Sequence, residues 1–220
     1  MTGKPVAFAH MRDIMRISPV ISVLTIQRLE DAVPLAQALV RGGLPVMEVA
    51  LRTPCATAAI AAIRASVKNA VVGAGTITRP RDFHDSKAAG AQFGGIPGLA
   101  AVLVAYSLDI GFPVLPGIMT PAELIAARIA GFTACKLFPA EQVGGVGMIK
   151  ALGRPFPEHL LCPAGGVTPI NAAEYLAEKN VACVSGSWVA PSSAIEARDW
   201  DAIEALARDA AGLREARRPG

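Results

Sequence analysis

The segment from Pro45 to Gly75 reads PVMEVALRTPCATAAIAAIRASVKNAVVGAG and contains one complete structural unit. A short apolar run begins at Val46, an alanine-rich stretch with helical spacing covers Thr57–Ala65, and a second apolar run begins at Val71. Continuous apolar runs are typical of strands that are covered on both faces, as in parallel sheets. The segment therefore predicts a strand–helix–strand unit.

This unit recurs along the chain, with apolar runs that start 21 to 26 residues apart. The runs start near Val20, Val46, Val71, Gln92, Pro113, Ala134, Leu160 and Val181. The predicted helices between and after them are Leu29–Val40, Thr57–Ala65, Arg81–Ala89, Leu99–Ser107, Pro121–Ala130, Gly147–Leu152, Ile170–Glu178 and Asp201–Ala211. Eight such units predict an α/β fold, a single (β/α)8 TIM barrel with a short N-terminal helix that ends within Asp13–Ile17. An open doubly wound sheet is the alternative, but no G-x-G-x-x-G follows the first strand.

We expect one domain over residues 1–220, with flexible tails at 1–10 and 213–220. Two helix starts are predicted from Thr-Pro pairs. Thr120 and Thr168 would be N-caps, followed by Pro121 and Pro169 in the first turn.

Composition excludes several classes of protein. Hydrophobic residues make up 52% of the chain and charged residues 18%, so a large core can form and disorder is not the dominant state. A net charge of +3 without a basic face argues against nucleic acid as a partner. The apolar runs are too short to span a membrane, and the four cysteines form no C-x-x-C pair. We expect a cytoplasmic protein with no membrane partner and no metal site.

The strand that begins at Val46 carries two charged residues, Glu48 and Arg52. Their spacing of four places both on one face of a strand, at the end where barrel active sites lie. A buried carboxylate is costly unless it is paired, so one interpretation is a structural ion pair. The other is a general base next to a guanidinium that binds a substrate carboxylate through two hydrogen bonds.

Lys136 is the lysine that lies within an apolar strand, in the sequence Thr133-Ala-Cys-Lys136-Leu-Phe138. A buried lysine can form a Schiff base with a carbonyl substrate once its amine is neutral. The alternative is a lysine whose charged tip simply reaches solvent past apolar atoms.

Small and polar residues follow the other predicted strands. Thr76 ends the third strand, and Pro97 ends the fourth. Gly165 and Gly166 follow the seventh strand and Ser187 the eighth, where barrels of this kind usually bind phosphate. Glycines there let an anion approach backbone N–H groups.

Taken together and in this order, six segments resemble the 2-keto-3-deoxy-6-phosphogluconate (KDPG) aldolase family, which also includes 4-hydroxy-2-oxoglutarate (KHG) aldolases. The resemblance covers about residues 13–212. The segments are LPVMEVALRT (44–53), VGAGT (72–76), AQFGGIPG (91–98), KLFPAE (136–141), CPAGGV (162–167) and GSW (186–188).

The resemblance implies a class I aldolase that cleaves KDPG to pyruvate and glyceraldehyde 3-phosphate, as a homotrimer without metal or other cofactor. Lys136 would form the Schiff base, and Glu48 would be the general acid and base. The substrate-binding residues would be Arg52 and Thr76 for the pyruvoyl carboxylate, Pro97 and Phe138 for the pocket walls, and Gly165, Gly166 and Ser187 for the phosphate.

Four positions depart from the usual family pattern: Ser22, Ala50 and Ile96 stand where Pro, Thr and Ser are common, and Ala164 where Thr is common. Because Ala164 removes a hydroxyl beside the phosphate site, we expect phosphate affinity to fall by about tenfold. A preference for KHG or another 2-keto-4-hydroxy acid is therefore an alternative. Two further alternatives are a barrel isomerase or decarboxylase that only transfers protons, and a non-catalytic phosphate-binding subunit.

Overall fold

The structure is a computed structural model that describes residues 5–213, with side chains from Met11 onward. Its eight strands are β1 Val20–Leu24, β2 Val46–Ala50, β3 Val71–Gly75, β4 Phe93–Ile96, β5 Val114–Ile118, β6 Ala134–Leu137, β7 Leu160–Pro163 and β8 Val184–Gly186. Neighbouring strands in the order β8-β1-β2-β3-β4-β5-β6-β7 pair in parallel. Isolated bridges from Leu161 to Val181 and from Ala164 to Ser185 join β7 to the β8 side. The predicted (β/α)8 barrel is confirmed.

Helices alternate with the strands and cover the barrel. They are α1 Pro5–Ile17, α2 Ala32–Arg41, α3 Ala56–Ser66, α4 Pro80–Ala88, α5 Ala101–Asp109, α6 Pro121–Ile129, α7 Gly145–Gly153, α8 Ala172–Ala177, α9 Ser192–Ala197 and α10 Trp200–Gly212. Since α1 begins at Pro5, residues 5–10 of the predicted tail are helical. The predicted tails at 1–4 and 214–220 lie outside the described residues.

Of the two predicted helix starts, one is confirmed and one is wrong, and one helix was not predicted. Thr120 does cap α6, and its hydroxyl accepts from the Glu123 N–H. Thr168 does not begin a helix, because the Asn171 side chain accepts from the Thr168 N–H and α8 starts only at Ala172. Helix α9 was not predicted, because it is an additional helix between β8 and α10 in a unit for which a single helix was expected.

The strands carry two sets of buried side chains. Outward-facing residues such as Val49 and Leu137 pack under the helices, whereas inward-facing residues such as Phe93 fill the barrel. At the amino-terminal end, Met11 and Met15 of α1 belong to the same cluster as Phe93. Helix α1 therefore covers the floor of the barrel, which leaves the carboxyl ends of the strands as the open end.

A buried histidine lies near this floor, just before β7. His159 is 5% exposed, and its Nε2 lies 3.2 Å from Cys135 Sγ. Burial, together with the positive charges of Arg128 and Arg12, lowers the pKa of His159 to about 4. The folded protein therefore holds this imidazole neutral at pH values where a free histidine is charged.

This histidine should make stability fall in mild acid. Between about pH 6.5, the usual histidine pKa, and the folded pKa of about 4, the unfolded chain binds a proton that the folded chain does not. The free energy of unfolding therefore falls as the pH falls through this window. We expect H159Q to lose less stability than wild type between pH 7 and pH 5 in urea titrations. H84Q, which changes an exposed histidine, should lose as much as wild type, and an equal loss in H159Q would contradict the expectation.

Candidate active site

A cavity of about 270 Å³ opens at the carboxyl ends of the strands. All nine site residues predicted from the sequence line it, although they come from strand ends and loops far apart in the chain. They are Glu48, Arg52, Thr76, Pro97, Lys136, Phe138, Gly165, Gly166 and Ser187. The structure thus brings the whole predicted set together at one site.

The centre of the site is a buried ion pair between β6 and β2. Lys136 Nζ donates to both carboxylate oxygens of Glu48, at 2.8 Å each. The two side chains are only 7% and 5% exposed. Glu48 therefore pairs with Lys136, and its predicted structural partner Arg52 makes no ion pair among the described side chains.

Glycines on β3 and β4 make room for the Glu48 carboxylate. A Cβ on Gly75 would lie 2.4 Å from Glu48 Oε1, and a Cβ on Gly95 would lie 2.8 Å from Oε2. Any larger residue at either position would push the carboxylate away from Lys136. These glycines therefore set the geometry of the ion pair.

Two polar residues stand around this pair, at the end of β3 and after β2. Thr76 has a φ of +60°, which is rare for a β-branched residue and costs about 1–3 kcal/mol. Arg52 is exposed in the turn after β2 and lines the cavity. A cation at the mouth and a strained threonine beside the pair suit the binding of a small anion.

The opposite wall is a glycine turn after β7. Gly165 and Gly166 have φ values of +88° and +79°, a conformation that favours glycine at both positions. Glu141 holds this turn: its N–H donates to Gly165 O at 3.1 Å, and its carboxylate accepts from the Tyr175 hydroxyl. Burial, followed by this hydrogen bond, raises the pKa of Tyr175, so the phenol stays protonated. Two consecutive left-handed residues can form a concave backbone site for an anion.

The four departures from the family pattern lie in different surroundings. Ala164 lines the cavity directly before the glycine turn. Ala50 is buried at the end of β2, and Ile96 packs in the core under the helices. Ser22 is fully buried on β1. Of the four, Ala164 is the one that meets the cavity directly.

The sequence analysis missed several residues that line the cavity. They are Val23, Thr25, Gly95, Val167, Ser185, Gly186, Ala190, Ser192 and Ile195. Ser192 and Ile195 come from the missed helix α9, so no signal pointed to them. Ser185 is a polar residue within an apolar strand, and the criterion that selected Lys136 could have found it.

Within residues 5–213, no group of three or more His, Cys, Asp or Glu side chains is arranged to hold a metal ion. Over the same residues, no helix has the length and apolar character needed to cross a membrane.

The fold and the cavity define a (β/α)8-barrel enzyme with a buried lysine–carboxylate pair at its centre. A family model described as KDPG and KHG aldolase matches residues 11–206. The chain belongs to this family.

Individual relatives agree with the family assignment. The chain is 45% identical to a 2-dehydro-3-deoxy-phosphogluconate aldolase of Pseudoalteromonas atlantica, over 90% of this chain and 93% of the relative. It is also 45% identical to the KHG/KDPG aldolase of Escherichia coli K12, over 90% and 92% of the two chains. Among solved structures, it is similar to the KDPG aldolase of Legionella pneumophila, in which pyruvate was captured at low pH as a covalent carbinolamine intermediate. That similarity has a TM-score of 0.89 and 40% identity, over 91% of this chain and 97% of the other.

Replacing Gly95 should disable the site without unfolding the barrel. In G95A the new Cβ would meet the Glu48 carboxylate at 2.8 Å, and the end of that side chain can move away. A displacement of about 1 Å can cost about a hundredfold in rate, so we expect aldolase activity to fall to that extent with little change in Tm. The matched control is G98A, whose Cβ would meet nothing within 4 Å. Wild-type activity in G95A would show that the carboxylate position is not critical.

Proposed function

We propose that this enzyme is a class I aldolase that cleaves KDPG to pyruvate and glyceraldehyde 3-phosphate through a Schiff base on Lys136, without a metal ion. The observation that carries the proposal is the buried contact of Lys136 Nζ with both Glu48 oxygens at 2.8 Å. An amine that must become nucleophilic needs a proton acceptor within hydrogen-bond reach. Glu48 is such an acceptor, and the pair opens into the cavity.

The first half of the reaction forms the Schiff base. Glu48 accepts a proton from the Lys136 ammonium, and the free amine attacks the C2 ketone of the substrate to give a carbinolamine. Glu48 returns a proton to the C2 hydroxyl, which leaves as water as the C2–N double bond forms. The product is a cationic iminium ion that can accept electrons from the C3–C4 bond.

The second half breaks the carbon–carbon bond. Glu48, through a water molecule, removes the proton of the C4 hydroxyl, and the C3–C4 electrons move to form a neutral enamine. The aldehyde leaves with its new C4 carbonyl. Protonation of C3 restores the iminium ion, water adds to C2, and pyruvate leaves as the Lys136 amine is restored.

The two ends of the cavity fit the two charged ends of KDPG. Arg52 and Thr76 hold the pyruvoyl carboxylate, since a guanidinium can bind a carboxylate with two hydrogen bonds. Pro97 and Phe138 form apolar walls. At the other end, the Gly165–Gly166 turn and Ser187 bind the phosphate through backbone N–H groups and a hydroxyl.

A second candidate activity is cleavage of KHG, which carries a carboxylate where KDPG carries the phosphate end. The observation that favours it is Ala164, which lines the cavity beside the glycine turn and offers no hydroxyl to a phosphate. The comparison that decides is kcat/KM for KDPG and for KHG, measured on the same preparation.

The main test is intact-protein mass after incubation with pyruvate and borohydride. We expect wild type to gain about 72 Da, one reduced pyruvoyl unit on an amine, located on Lys136 by peptide mapping. K136M should form no adduct and cleave no substrate. K150M is the matched control, because Lys150 is exposed and pairs with Glu178 at 3.5 Å. It should form the adduct as wild type does.

The same experiment separates the alternatives. A folded wild-type protein that forms no adduct but turns over a substrate would support the isomerase or decarboxylase reading. Binding of substrate without adduct or turnover would support a non-catalytic subunit. A cytoplasmic location is part of the proposal, and four cysteines that are thiols rather than disulfides fit a reducing compartment.

The proposed assembly is a homotrimer, as the family resemblance implies. An exposed apolar face on α6 supports contact with a second copy: Ile125 is 47% exposed and Ile129 83%, and residues four apart share one face of a helix. Met119, just before α6, is 45% exposed. Charge on this face should prevent assembly because it cannot be buried without a partner.

We expect light scattering to give about 68 kDa for wild type, three copies of the 22.7 kDa chain. I129E should shift the mass toward the monomer. I170E changes an apolar residue that is 94% exposed away from this face, and it should remain trimeric. A monomeric wild type would overturn the assembly proposal and leave the catalytic one intact.

A further inference from the structure

Two serine hydroxyls are buried without a hydrogen-bond partner among the described residues. They are Ser22 Oγ on β1 and Ser185 Oγ on β8, in residues that are 0% and 1% exposed. A buried hydroxyl without a partner is destabilising, because it has lost its hydrogen bonds to water. Ser185 lines the active-site cavity, whereas Ser22 does not. The Ser185 hydroxyl is therefore a donor without a protein partner in the described part of the chain, in a residue that lines the cavity.

Strand register places Ser185 relative to the ion pair. In a (β/α)8 barrel the interior side chains form layers of four, one from every second strand. Gly95 on β4 shares a layer with Glu48, because Glu48 pairs with Gly73 on β3, Gly73 pairs with Phe93 on β4, and Gly95 lies two residues further along. Gly95 pairs with Leu115 on β5, and two residues further along, Gly117 pairs with Lys136 on β6. To stay in one layer while crossing from β4 to β6, one therefore moves two residues along the middle strand. This relation connects Gly95 to Lys136.

Crossing the next two strands, again with an advance of two residues, leads from Lys136 to Ser185. Lys136 pairs with Cys162 on β7, and two residues further along, Ala164 bridges to Ser185 on β8. These relations assign Ser185 to the layer of the reactive lysine.

Crossing two more strands, from β8 over β1 to β2, leads back to Glu48. Ser185 pairs with Ile21 on β1, and two residues further along, Val23 pairs with Glu48 on β2. Since the circuit closes on the same carboxylate, one layer of the barrel consists of Glu48, Gly95, Lys136 and Ser185. Within this layer, Ser185 on β8 lies between Lys136 on β6 and Glu48 on β2.

We infer that the Ser185 hydroxyl hydrogen-bonds the oxygen on C2 of the keto acid as Lys136 adds to that carbon. The inference rests on the proposed function and adds a residue that contacts the reacting centre. Ser187, two residues further along the same face, lies about 6–7 Å nearer the mouth, where the phosphate end is proposed. Ser185 lies deeper, at the level of Lys136, so its ligand is the C2 oxygen rather than the phosphate.

The hydroxyl can serve both steps at C2. It donates to the ketone oxygen as negative charge develops there, and it then holds the carbinolamine hydroxyl while Glu48 protonates it. Because the oxygen leaves as water, a hydrogen bond to it helps most before the iminium ion forms. The expected loss on removing the hydroxyl is therefore in the rate of adduct formation.

The test compares S185A with S22A, which removes the other unpartnered serine hydroxyl from the neighbouring strand. We expect S185A to lower kcat/KM and the rate of pyruvate adduct formation by about tenfold, the value of one hydrogen bond. Its Tm should be equal to or higher than that of wild type, because an unpaired buried hydroxyl is removed. S22A should keep both rates within about twofold of wild type with a similar gain in Tm.

Other outcomes would overturn the inference. These are wild-type adduct formation in S185A, a loss confined to the phosphorylated substrate, and a loss that follows a fall in Tm. S185G, which also lacks the hydroxyl, guards against an effect of the alanine itself and should show the same loss of adduct-formation rate as S185A, although a glycine within a strand lowers Tm. Failure of the proposed function is a separate result, since wild type itself would then form no adduct on Lys136, and the inference would fall with it.

Discussion

The contact between Lys136 and Glu48 is the constraint on which the rest of the site depends. Two opposite charges inside a barrel are tolerated because each is the other's partner, and removal of one would leave a buried charge at a cost of about 3–5 kcal/mol. The pair also needs space, which the bare backbones of Gly75 and Gly95 provide. The interior of the barrel is therefore shaped around one carboxylate.

The layer that contains the ion pair lies between an apolar floor and the open carboxyl ends of the strands. Below it, Phe93 and the methionines of α1 fill the floor with apolar side chains. Above it, the strands end in residues that can meet charged groups, including Arg52 and the Gly165–Gly166 turn. A ligand therefore enters from one side and reaches the lysine at the bottom of the cavity. Thr76, which lines this cavity, has a strained backbone conformation, as is common at functional sites.

Much of the fold was predictable because buried parallel strands are continuous apolar runs in sequence. The predicted starts of the strands lie within three residues of the observed ones, and the largest difference is at β8, where Val181 forms only an isolated bridge before the strand begins at Val184. Helix α9 was not predicted, because it is a second helix after β8, whereas the repeating pattern indicates one helix for each strand. The start of α8 was predicted too early. The Asn171 side chain accepts a hydrogen bond from the Thr168 N–H, and the helix begins only after Asn171. Helix propensities of the single residues do not reveal this bond.

The sequence by itself determined which residue types stand at the ends of which strands, and all nine predicted site residues line one cavity for that reason. Only the tertiary structure decided how they pair. Glu48 and Arg52 are neighbours in sequence, yet Glu48 bonds to Lys136, 88 residues away. The layer that adds Ser185 to this pair likewise follows from strand register around a closed barrel. Such contacts depend on closure and shear of the whole sheet, which local sequence patterns do not contain.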